Sequence, residues 1–205
     1  MPALGITGGI GTGKSAFSTA LRQYLPMEIF DADRCGHDLL AEDAGIQRAV
    51  AAAFGAQILD PDGQPDRARL REIIFADPAK RRTLEQILHP AIRARWTEMA
   101  QEAARGDHWF GADIPLLYET NAQSHFNAIV VVACAPDTQR TRLLQLRHLP
   151  TETAEKIIAT QFDLTTKIAQ ADHLIWNDSS LSSLDRQARL LAGALQALQR
   201  RTSRG

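Results

Sequence analysis

The chain has 205 residues, of which 44% are hydrophobic and 23% are charged, which is ordinary for a globular protein. Its formal net charge of −1 provides no basic field, so neither nucleic acid nor an acidic membrane is expected as a partner. Two distant cysteines, Cys35 and Cys134, exclude a disulfide framework, and no apolar run approaches the ~20 residues that span a bilayer. We therefore expect a cytoplasmic protein without a signal peptide.

The first predicted element is a buried strand over residues 3–7, directly followed by Gly8–Ser15, a full match to G-x-x-x-x-G-K-[ST]. In such a loop the glycines let backbone N–H groups converge on one cavity, and the helix behind it adds partial positive charge. We expect Lys14 to reach the β- and γ-phosphates and the Ser15 hydroxyl to ligate Mg²⁺. The expected phosphate-binding residues are Gly11, Thr12, Gly13, Lys14, Ser15 and Ala16. The motif predicts a site for a nucleoside triphosphate.

Four more strands are predicted further along the chain, and helical stretches separate them. This β-α-β-α order, with a continuous apolar run at 129–133, is typical of a parallel sheet that is covered on both faces. The sequence therefore predicts an α/β protein with the three-layer α/β/α fold of a P-loop NTPase and a five-stranded parallel sheet. The later strands are expected at 27–30, 109–114, 128–134 and 173–176.

The gap between the second and third strands is too long for a simple crossover, so we predict a helical substrate-binding insertion there. His89-Pro90 interrupts the helical pattern, because proline removes an i→i−4 hydrogen bond, and a bend is expected at that point. The helices of the insertion are expected at about 33–41, 43–54, 66–75 and 78–104.

A helical lid is predicted after Pro136, running to Leu149 and then from Thr151 to about Ala169. The last helix has a leucine-rich stripe, so it is expected to pack on the core. These elements predict a nucleotide-binding core (1–32, 107–138 and 170–205), an acceptor subdomain (33–106) and a lid (139–169). The residues of the stripe are Leu181, Leu184, Ala188, Leu191, Leu195 and Leu198.

A phosphate loop by itself does not distinguish a kinase from a switch GTPase or a motor ATPase. The guanine-reading pattern N-K-x-D is missing, and the third strand ends in Asp113-Ile114 instead of Asp-Glu. A compact core with a helical insertion and an arginine-bearing lid is typical of small-molecule kinases. The sequence therefore favours a kinase that phosphorylates a small acceptor.

Several segments, in order along nearly the whole chain, resemble the dephospho-CoA kinase family. The resemblance implies transfer of the ATP γ-phosphoryl group to the ribose 3′-hydroxyl of dephospho-CoA, the last step of coenzyme A synthesis, with ATP and Mg²⁺. The segments that carry it are 4–15, Asp31-Ala32-Asp33, 88–93, 113–119, 135–139 with Arg142, and Gln161, Lys167, Ala171-Asp172 and Asn177.

Asp33 follows the second strand, whose carboxyl end should lie at the ligand-binding edge of the sheet. It is expected to accept or orient the proton of the acceptor hydroxyl. The alternative is that it caps the next helix, although Asp31 is available for that role.

Asp113 could hold Mg²⁺ through water or cap the turn before Pro115. Arg142 could neutralise charge on the γ-phosphate or be a solvated helix arginine.

The resemblance also implies that His89 and Arg93, one helical turn apart, contact the phosphates of the acceptor, although His89 could equally be a structural histidine. It implies that Leu116 and Leu117 line the acceptor site, with a plain core role as the alternative, and that Asn177 lies near the adenine. Where relatives commonly carry Arg-Asp-Gly, this chain has Leu146-Arg147-His148, so Arg147 is an alternative lid arginine.

Two other functions remain open at this level. The first is a P-loop kinase of another small alcohol or nucleotide, and the second is a nucleotide-binding regulatory module without an acceptor. A monomer is the default expectation for this architecture.

Overall fold

The computed structural model describes residues 3–61, 63–105, 108–146 and 148–202. Its sheet has five parallel strands in the order β2-β3-β1-β4-β5, flanked by helices in three α/β/α layers, as the sequence predicts. Each strand matches its predicted position to within one residue at either end. The strands are β1 (Ala3–Gly8), β2 (Met27–Asp31), β3 (Trp109–Asp113), β4 (Ala128–Ala133) and β5 (His173–Trp176).

β1 lies at the centre of the sheet, between β3 and β4. Every residue of β4, including the run Ile129-Val130-Val131-Val132, is buried, as is expected of β-branched residues in a sheet with two covered faces. β1 pairs in parallel with β3 on one side and β4 on the other. The residues that follow β1 therefore begin at the middle of the carboxyl edge, where open α/β sheets bind their ligands.

The described helices include five in the first half of the chain, namely α1 (Lys14–Tyr24), α2 (Ala32–Glu42), α3 (Ala44–Phe54), α4 (Arg67–Ala76) and α5 (Pro78–Arg105). Further along are α6 (Pro136–Thr141), α7 (Thr151–Ala159), α8 (Leu164–Ala169) and α9 (Leu181–Thr202). Short 3₁₀ turns lie at Ala56–Ile58 and Gln123–His125, and a π-helical turn at Arg142–Leu146.

The chain divides into two compact units. One comprises the residues up to Phe30 and those from Ala100 onward, and the other is Asp31–Met99. The second unit corresponds broadly to the predicted insertion. The finer division into core, acceptor subdomain and lid stays a prediction.

The core of the first unit forms between the sheet and the helices that cover it. The middle of the predicted stripe on α9 is buried, with Leu184, Ala188, Leu191 and Leu195 between 0% and 6% exposed. Leu181 and Leu198, at the two ends of that stripe, are 76% and 47% exposed, so the prediction was wrong for them. The buried stripe packs with Phe17 and Leu21 of α1 and with the central strands.

The second unit has its own hydrophobic core, built from α2–α5. The predicted interruption at His89-Pro90 is wrong, because α5 continues from Pro78 to Arg105 with Pro90 inside it. Proline removes one backbone hydrogen bond, but Leu84 and Leu88 before it and Ile92 after it all pack on this core. Tertiary packing on both sides of the proline outweighs the local preference.

The predicted lid contains more breaks than the two long helices expected. α6 ends at Thr141 and passes into the π-helical turn, so no α-helix reaches Leu149. The second predicted helix is divided into α7 and α8, because Asp163 caps a new helix by accepting a hydrogen bond from the Thr166 N–H at 2.8 Å. The start of α7 at Thr151, after Pro150, agrees with the prediction.

Candidate functional site

The phosphate loop joins β1 to α1, and a glycine in the left-handed conformation ends it. Gly13 is the residue before α1 and has the left-handed backbone angles φ 93° and ψ 28°. A Cβ on Gly13 would overlap the side-chain amide of Asn177, so glycine is required both for its backbone conformation and for space. α1 has no side-chain cap, which leaves the first N–H groups of the helix, from Lys14 to Ala16, to bind an anion.

Two side chains from the C-terminal half of the protein bind the carbonyl groups of this loop. Asn177 donates its amide to the Thr12 carbonyl at 2.8 Å and is buried. The Arg142 guanidinium donates to the carbonyls of Thr12 at 3.2 Å, Gly11 at 3.4 Å and Asn177 at 2.7 Å. Arg142 is therefore a partner of the loop backbone and not simply a solvated helix arginine. Contacts of Arg142 with a γ-phosphate, and of Asn177 with adenine, stay predictions.

Two glutamines bind the backbone of Ile10 within the loop, one at its N–H group and one at its carbonyl group. Gln139 donates its amide to the Ile10 carbonyl at 2.7 Å, and Gln161 accepts a hydrogen bond from the Ile10 N–H at 2.9 Å. In the sequence both residues stand out only as parts of the family resemblance. Their role depends on contacts over more than 100 residues of chain, which no local pattern reveals.

A buried ion pair lies beside the same loop. The Lys167 Nζ atom is 2.9 Å from Glu119 Oε1 and 2.7 Å from the Pro115 carbonyl, and the Lys167 side chain is 0% exposed. Burial lowers the pKa of Lys167, the pairing with Glu119 opposes this effect, and the positive charge of Lys14 lowers the pKa further. No sequence pattern predicts a function for this pair. A lysine within a helix as short as α8 is normally solvated, so only the structure reveals its burial.

Asp113 lies at the carboxyl end of β3, opposite Ile6 of the neighbouring strand β1. Carboxylate and hydroxyl oxygens, such as those of Asp113 and Ser15, are the donors that Mg²⁺ prefers. No group of three or more His, Cys, Asp or Glu side chains that could hold a metal ion is found among the described residues.

The two predicted acceptor leucines have different environments. Leu117 is fully buried, and its side chain is one of the groups that a Cβ on Gly5 of β1 would meet. This burial favours the core role that was the alternative for Leu117, and its contact with the acceptor stays a prediction. Leu116 is partly exposed and remains a candidate for that role.

In the second unit, Asp33 lies in the first turn of α2. Asp31 caps this helix, with its carboxylate accepting a hydrogen bond from the Arg34 N–H at 2.9 Å. The capping role that was the alternative for Asp33 is therefore filled by Asp31. Asp33 is exposed and lines a cavity of about 670 Å³ within this unit.

The cavity brings Asp33 and His89 to one site, and three arginines that the sequence analysis did not single out also line it. These are Arg67 and Arg71 of α4 and Arg81 of α5. The floor is apolar, with Leu40, Ile74, Leu84 and Leu88. Of the described residues, Arg93 is not among those that line the cavity. An apolar floor with a few charged groups at its edge is typical of a pocket for an organic anion.

Burial lowers the pKa of the half-buried His89, the negative charge of Glu85 opposes this effect, and the positive charge of Arg93 lowers the pKa further. The influence of Arg93 agrees with its position one turn further along α5. At neutral pH the imidazole is therefore held in its uncharged form, in which it can both donate and accept a hydrogen bond.

Arg147, the alternative lid arginine, lies outside the described residues.

No helix among the described residues has the length and hydrophobicity needed to cross a membrane.

Comparisons with known proteins agree on one family. The family model described as Dephospho-CoA kinase matches residues 3–183. A protein named dephospho-CoA kinase from Aromatoleum aromaticum is 40% identical over 93% of this chain and 95% of its own. A protein of the same name from Synechococcus elongatus is 41% identical over 85% of this chain and 83% of its own.

Solved structures show the same relationship. A crystal structure from Thermus thermophilus matches with a TM-score of 0.77 at 25% identity, covering 96% of this chain and 97% of the other. Dephospho-CoA kinase from Campylobacter jejuni matches with a TM-score of 0.68 at 25% identity, covering 98% of each chain. A shikimate kinase from Bacteroides thetaiotaomicron, with a TM-score of 0.52 at 14% identity, shares the fold.

Proposed function

The chain belongs to the dephospho-CoA kinase family, and on that premise we propose that it transfers the γ-phosphoryl group of ATP to the ribose 3′-hydroxyl of dephospho-CoA. The products are coenzyme A and ADP. The observation that carries the proposal is the phosphate loop, in which Gly13 is left-handed and the N–H groups at the start of α1 remain available for an anion. An acidic side chain and a cavity in the insertion supply the acceptor half of the reaction.

The phosphate loop and its lysine bind and orient the triphosphate. Lys14 and the N–H groups from Gly11 to Ala16 neutralise charge on the phosphates. Such positioning and charge neutralisation account for most of the catalysis of phosphoryl transfer. Arg142 already lies against the carbonyls of Gly11 and Thr12. We propose that its guanidinium adds positive charge at the γ-phosphate during transfer, with Asn177 close to the nucleotide.

Asp33 is proposed as the general base. Its carboxylate takes the proton of the 3′-hydroxyl while that oxygen forms a bond to the γ-phosphorus, and the bond from this phosphorus to the bridging oxygen of ADP breaks. Because Asp31 caps α2, the Asp33 carboxylate is not needed to start the helix.

Ser15 and Asp113 are proposed to hold Mg²⁺, as the hard oxygen donors of both side chains suit this ion. When bound, Mg²⁺ neutralises phosphate charge as a Lewis acid. We further propose that the enzyme acts as a monomer in the cytoplasm, where ATP is available. Sedimentation of the purified protein at micromolar concentration tests the monomer, and fractionation of cells tests the location.

The cavity of the insertion is proposed to hold part of dephospho-CoA. Its apolar floor fits an uncharged arm, and His89 with the arginines Arg67, Arg71 and Arg81 fits a diphosphate. Arg93 and Leu116 are proposed as further acceptor contacts, carried over from the family.

A panel assay tests the proposed function. The purified chain is given ATP and Mg²⁺ together with dephospho-CoA, nucleosides, nucleoside monophosphates or shikimate, and the phosphorylated product is identified by mass. Dephospho-CoA is expected to be the acceptor, with the new phosphate on the ribose 3′-oxygen. Phosphorylation of another compound with dephospho-CoA inert would indicate a kinase of another alcohol or nucleotide. ATP binding that no acceptor converts to turnover would indicate a regulatory module.

A further inference from the structure

The phosphate loop is held at two successive peptide groups, one on each side of the Ile10 Cα atom. Gln139 binds the Ile10 carbonyl and Gln161 binds the Ile10 N–H, at 2.7 Å and 2.9 Å. Because each peptide group is planar, the bond to the Ile10 N–H restrains the peptide between Gly9 and Ile10, and the bond to the Ile10 carbonyl restrains the peptide between Ile10 and Gly11. The direction of the backbone just before Gly11 therefore depends on where these two glutamines are held.

Gln161 belongs to the turn between α7 and α8, and its position depends on the next residue. The Phe162 N–H donates a hydrogen bond to Glu119 Oε1 at 2.8 Å. The same carboxylate oxygen is 2.9 Å from Lys167 Nζ. Glu119 thus joins the turn that carries Gln161 to the buried ammonium group of Lys167.

Lys167 also connects to the other end of the phosphate loop. Its ammonium donates to the Pro115 carbonyl at 2.7 Å, and the Thr7 hydroxyl donates to the same carbonyl at 3.2 Å. Thr7 lies in β1 directly before Gly8, the first residue of the loop motif. One buried charge therefore connects the strand that leads into the loop with the turn that holds its middle.

The burial of Lys167 is not explained by packing or by stability alone. A buried ion pair is weak evidence for stability, because the cost of removing two charges from water can exceed their attraction. Apolar residues of similar size would fill the same space at no such cost. The pair makes hydrogen bonds to the Pro115 carbonyl and the Phe162 N–H. Pro115 in turn contacts Thr7 in the strand before the loop, and the residue before Phe162 contacts the loop itself.

We propose that Lys167 is a positioning residue of the kinase, which acts with Glu119 to place Gln161 against the Ile10 N–H and so keeps the phosphate loop in its anion-binding shape. The proposal rests on the proposed function in that the loop binds the phosphates of ATP. Since the loop contacts the phosphates both before and during transfer, its displacement weakens nucleotide binding more than it lowers kcat. We expect the KM for ATP to rise, while the KM for the acceptor changes little.

Nucleotide affinity and thermal stability, measured on the full chain, test this role. Gln161→Ala is expected to raise the Kd for Mg-ADP about three- to tenfold, the usual effect of one lost hydrogen bond. Lys167→Gln is expected to raise it by about tenfold or more, because both connections to the loop are lost. Leu195→Ala in the core of α9 is the control, with a Tm lowered as far or further and a Kd within about twofold of wild type.

A double-mutant cycle separates positioning from general destabilisation. If Lys167 acts through Gln161, the change Gln161→Ala has little further effect on the Kd in the Lys167→Gln background. Additive losses, or a Lys167→Gln variant that binds Mg-ADP as the wild type does, would overturn the proposal. If Lys167→Gln does not fold, Glu119→Gln takes its place in the cycle, because it removes the charge that pairs with Lys167.

These measurements need no acceptor, so they are independent of the acceptor assay. A wild-type chain that binds Mg-ADP but does not phosphorylate dephospho-CoA would contradict the proposed function alone. The role of Lys167 would still be decided by the cycle.

Discussion

Two aspartates at the start of α2 are separated by a single residue and have different surroundings. The Asp31 carboxylate accepts the Arg34 N–H as the helix cap, whereas Asp33 lines the cavity of the second unit. Identical side chains therefore have different roles, which are set by where the strand ends and the helix begins. A matched pair of substitutions can separate the two roles.

Asp33→Asn is expected to lower turnover by about 10²-fold or more while the Kd for Mg-ADP stays at the wild-type value. The amide keeps the size of the carboxylate but cannot take a proton from the acceptor hydroxyl. Steady-state kinetics with dephospho-CoA and calorimetric titration with Mg-ADP measure the two quantities. Asp31→Asn is the control, because asparagine caps helices about as well as aspartate, and it should leave turnover near wild type. Wild-type turnover in Asp33→Asn would remove Asp33 from the mechanism.

His89 predicts a dependence of stability on pH. Its pKa in the folded protein is lowered, first by burial, whereas the unfolded chain has the ordinary histidine value near ~6.5. As the pH falls below that value the unfolded state binds the proton first. The stability that the neutral imidazole provides is therefore complete above pH ~6.5 and is lost as the pH falls through the lowered pKa.

The expected outcome is a difference between wild type and His89→Gln. Urea unfolding at several pH values from about 7.5 down to about 5 should show a larger loss of stability on acidification in the wild type, since glutamine does not titrate in this range. Parallel losses in the two proteins would show that the burial of His89 contributes nothing to the effect.

At the scale of elements, local signals and tertiary packing conflict in α5. From local sequence preference alone, Pro90 predicts the end of a helix. The helix nevertheless continues, because its apolar side chains before and after the proline pack on one core. In the lid the single residue outweighs the periodicity. The helical pattern predicts one continuous helix, but Asp163 caps a new helix and divides it. The interruption at Pro90 was wrongly predicted and the break at Asp163 was missed for the same reason. Helical periodicity and single-residue signals pointed in different directions, and the sequence does not show which of the two the core supports.

Pro90→Ala is expected to stabilise the protein by about 2 kcal/mol. Alanine restores the N–H that can donate to the Gln86 carbonyl, and the gain of up to about 3 kcal/mol is partly offset by the greater freedom of the unfolded chain. Pro90 is exposed, so the smaller side chain leaves no cavity. Chemical denaturation measures the change.

Glu98→Ala, at another exposed position of α5, controls for surface effects and should lie within about 0.5 kcal/mol of wild type. A Pro90→Ala variant with equal or lower stability than wild type would indicate that the proline conformation is required by the packing around it.

For the molecule as a whole, the sequence predicted the sheet and the phosphate loop because their signals are local. Apolar β-branched runs such as that of β4 and the glycine pattern at 8–15 specify their own structure. The four-residue contact system of Gln139, Gln161, Glu119 and Lys167 could not be predicted in the same way. Its members are polar residues on short elements, and only the tertiary fold brings them to the loop.

The two units have separate hydrophobic cores, which predicts that each can lose order without the other. In the second unit Ile58 is fully buried with Val50 and Phe54, and it does not line the cavity. Ile58→Ala should cost about 2–5 kcal/mol, because it removes buried methyl groups and leaves a void. Since the loss falls on contacts within Asp31–Met99, this unit should open more often, while the sheet around β4 keeps its hydrogen bonds.

Hydrogen exchange followed by mass spectrometry of peptides measures this difference. In Ile58→Ala, peptides from 31–99 should exchange faster than in the wild type, and the peptide that contains β4 should exchange at the same rate. Leu195→Ala is the matched control in the first unit, with the opposite pattern expected. The KM for dephospho-CoA should rise in Ile58→Ala while the Kd for Mg-ADP stays constant, because the proposed acceptor cavity and the phosphate loop belong to different units. Equal acceleration of exchange in both units would contradict independent cores, since it would mean that the chain unfolds as one cooperative body.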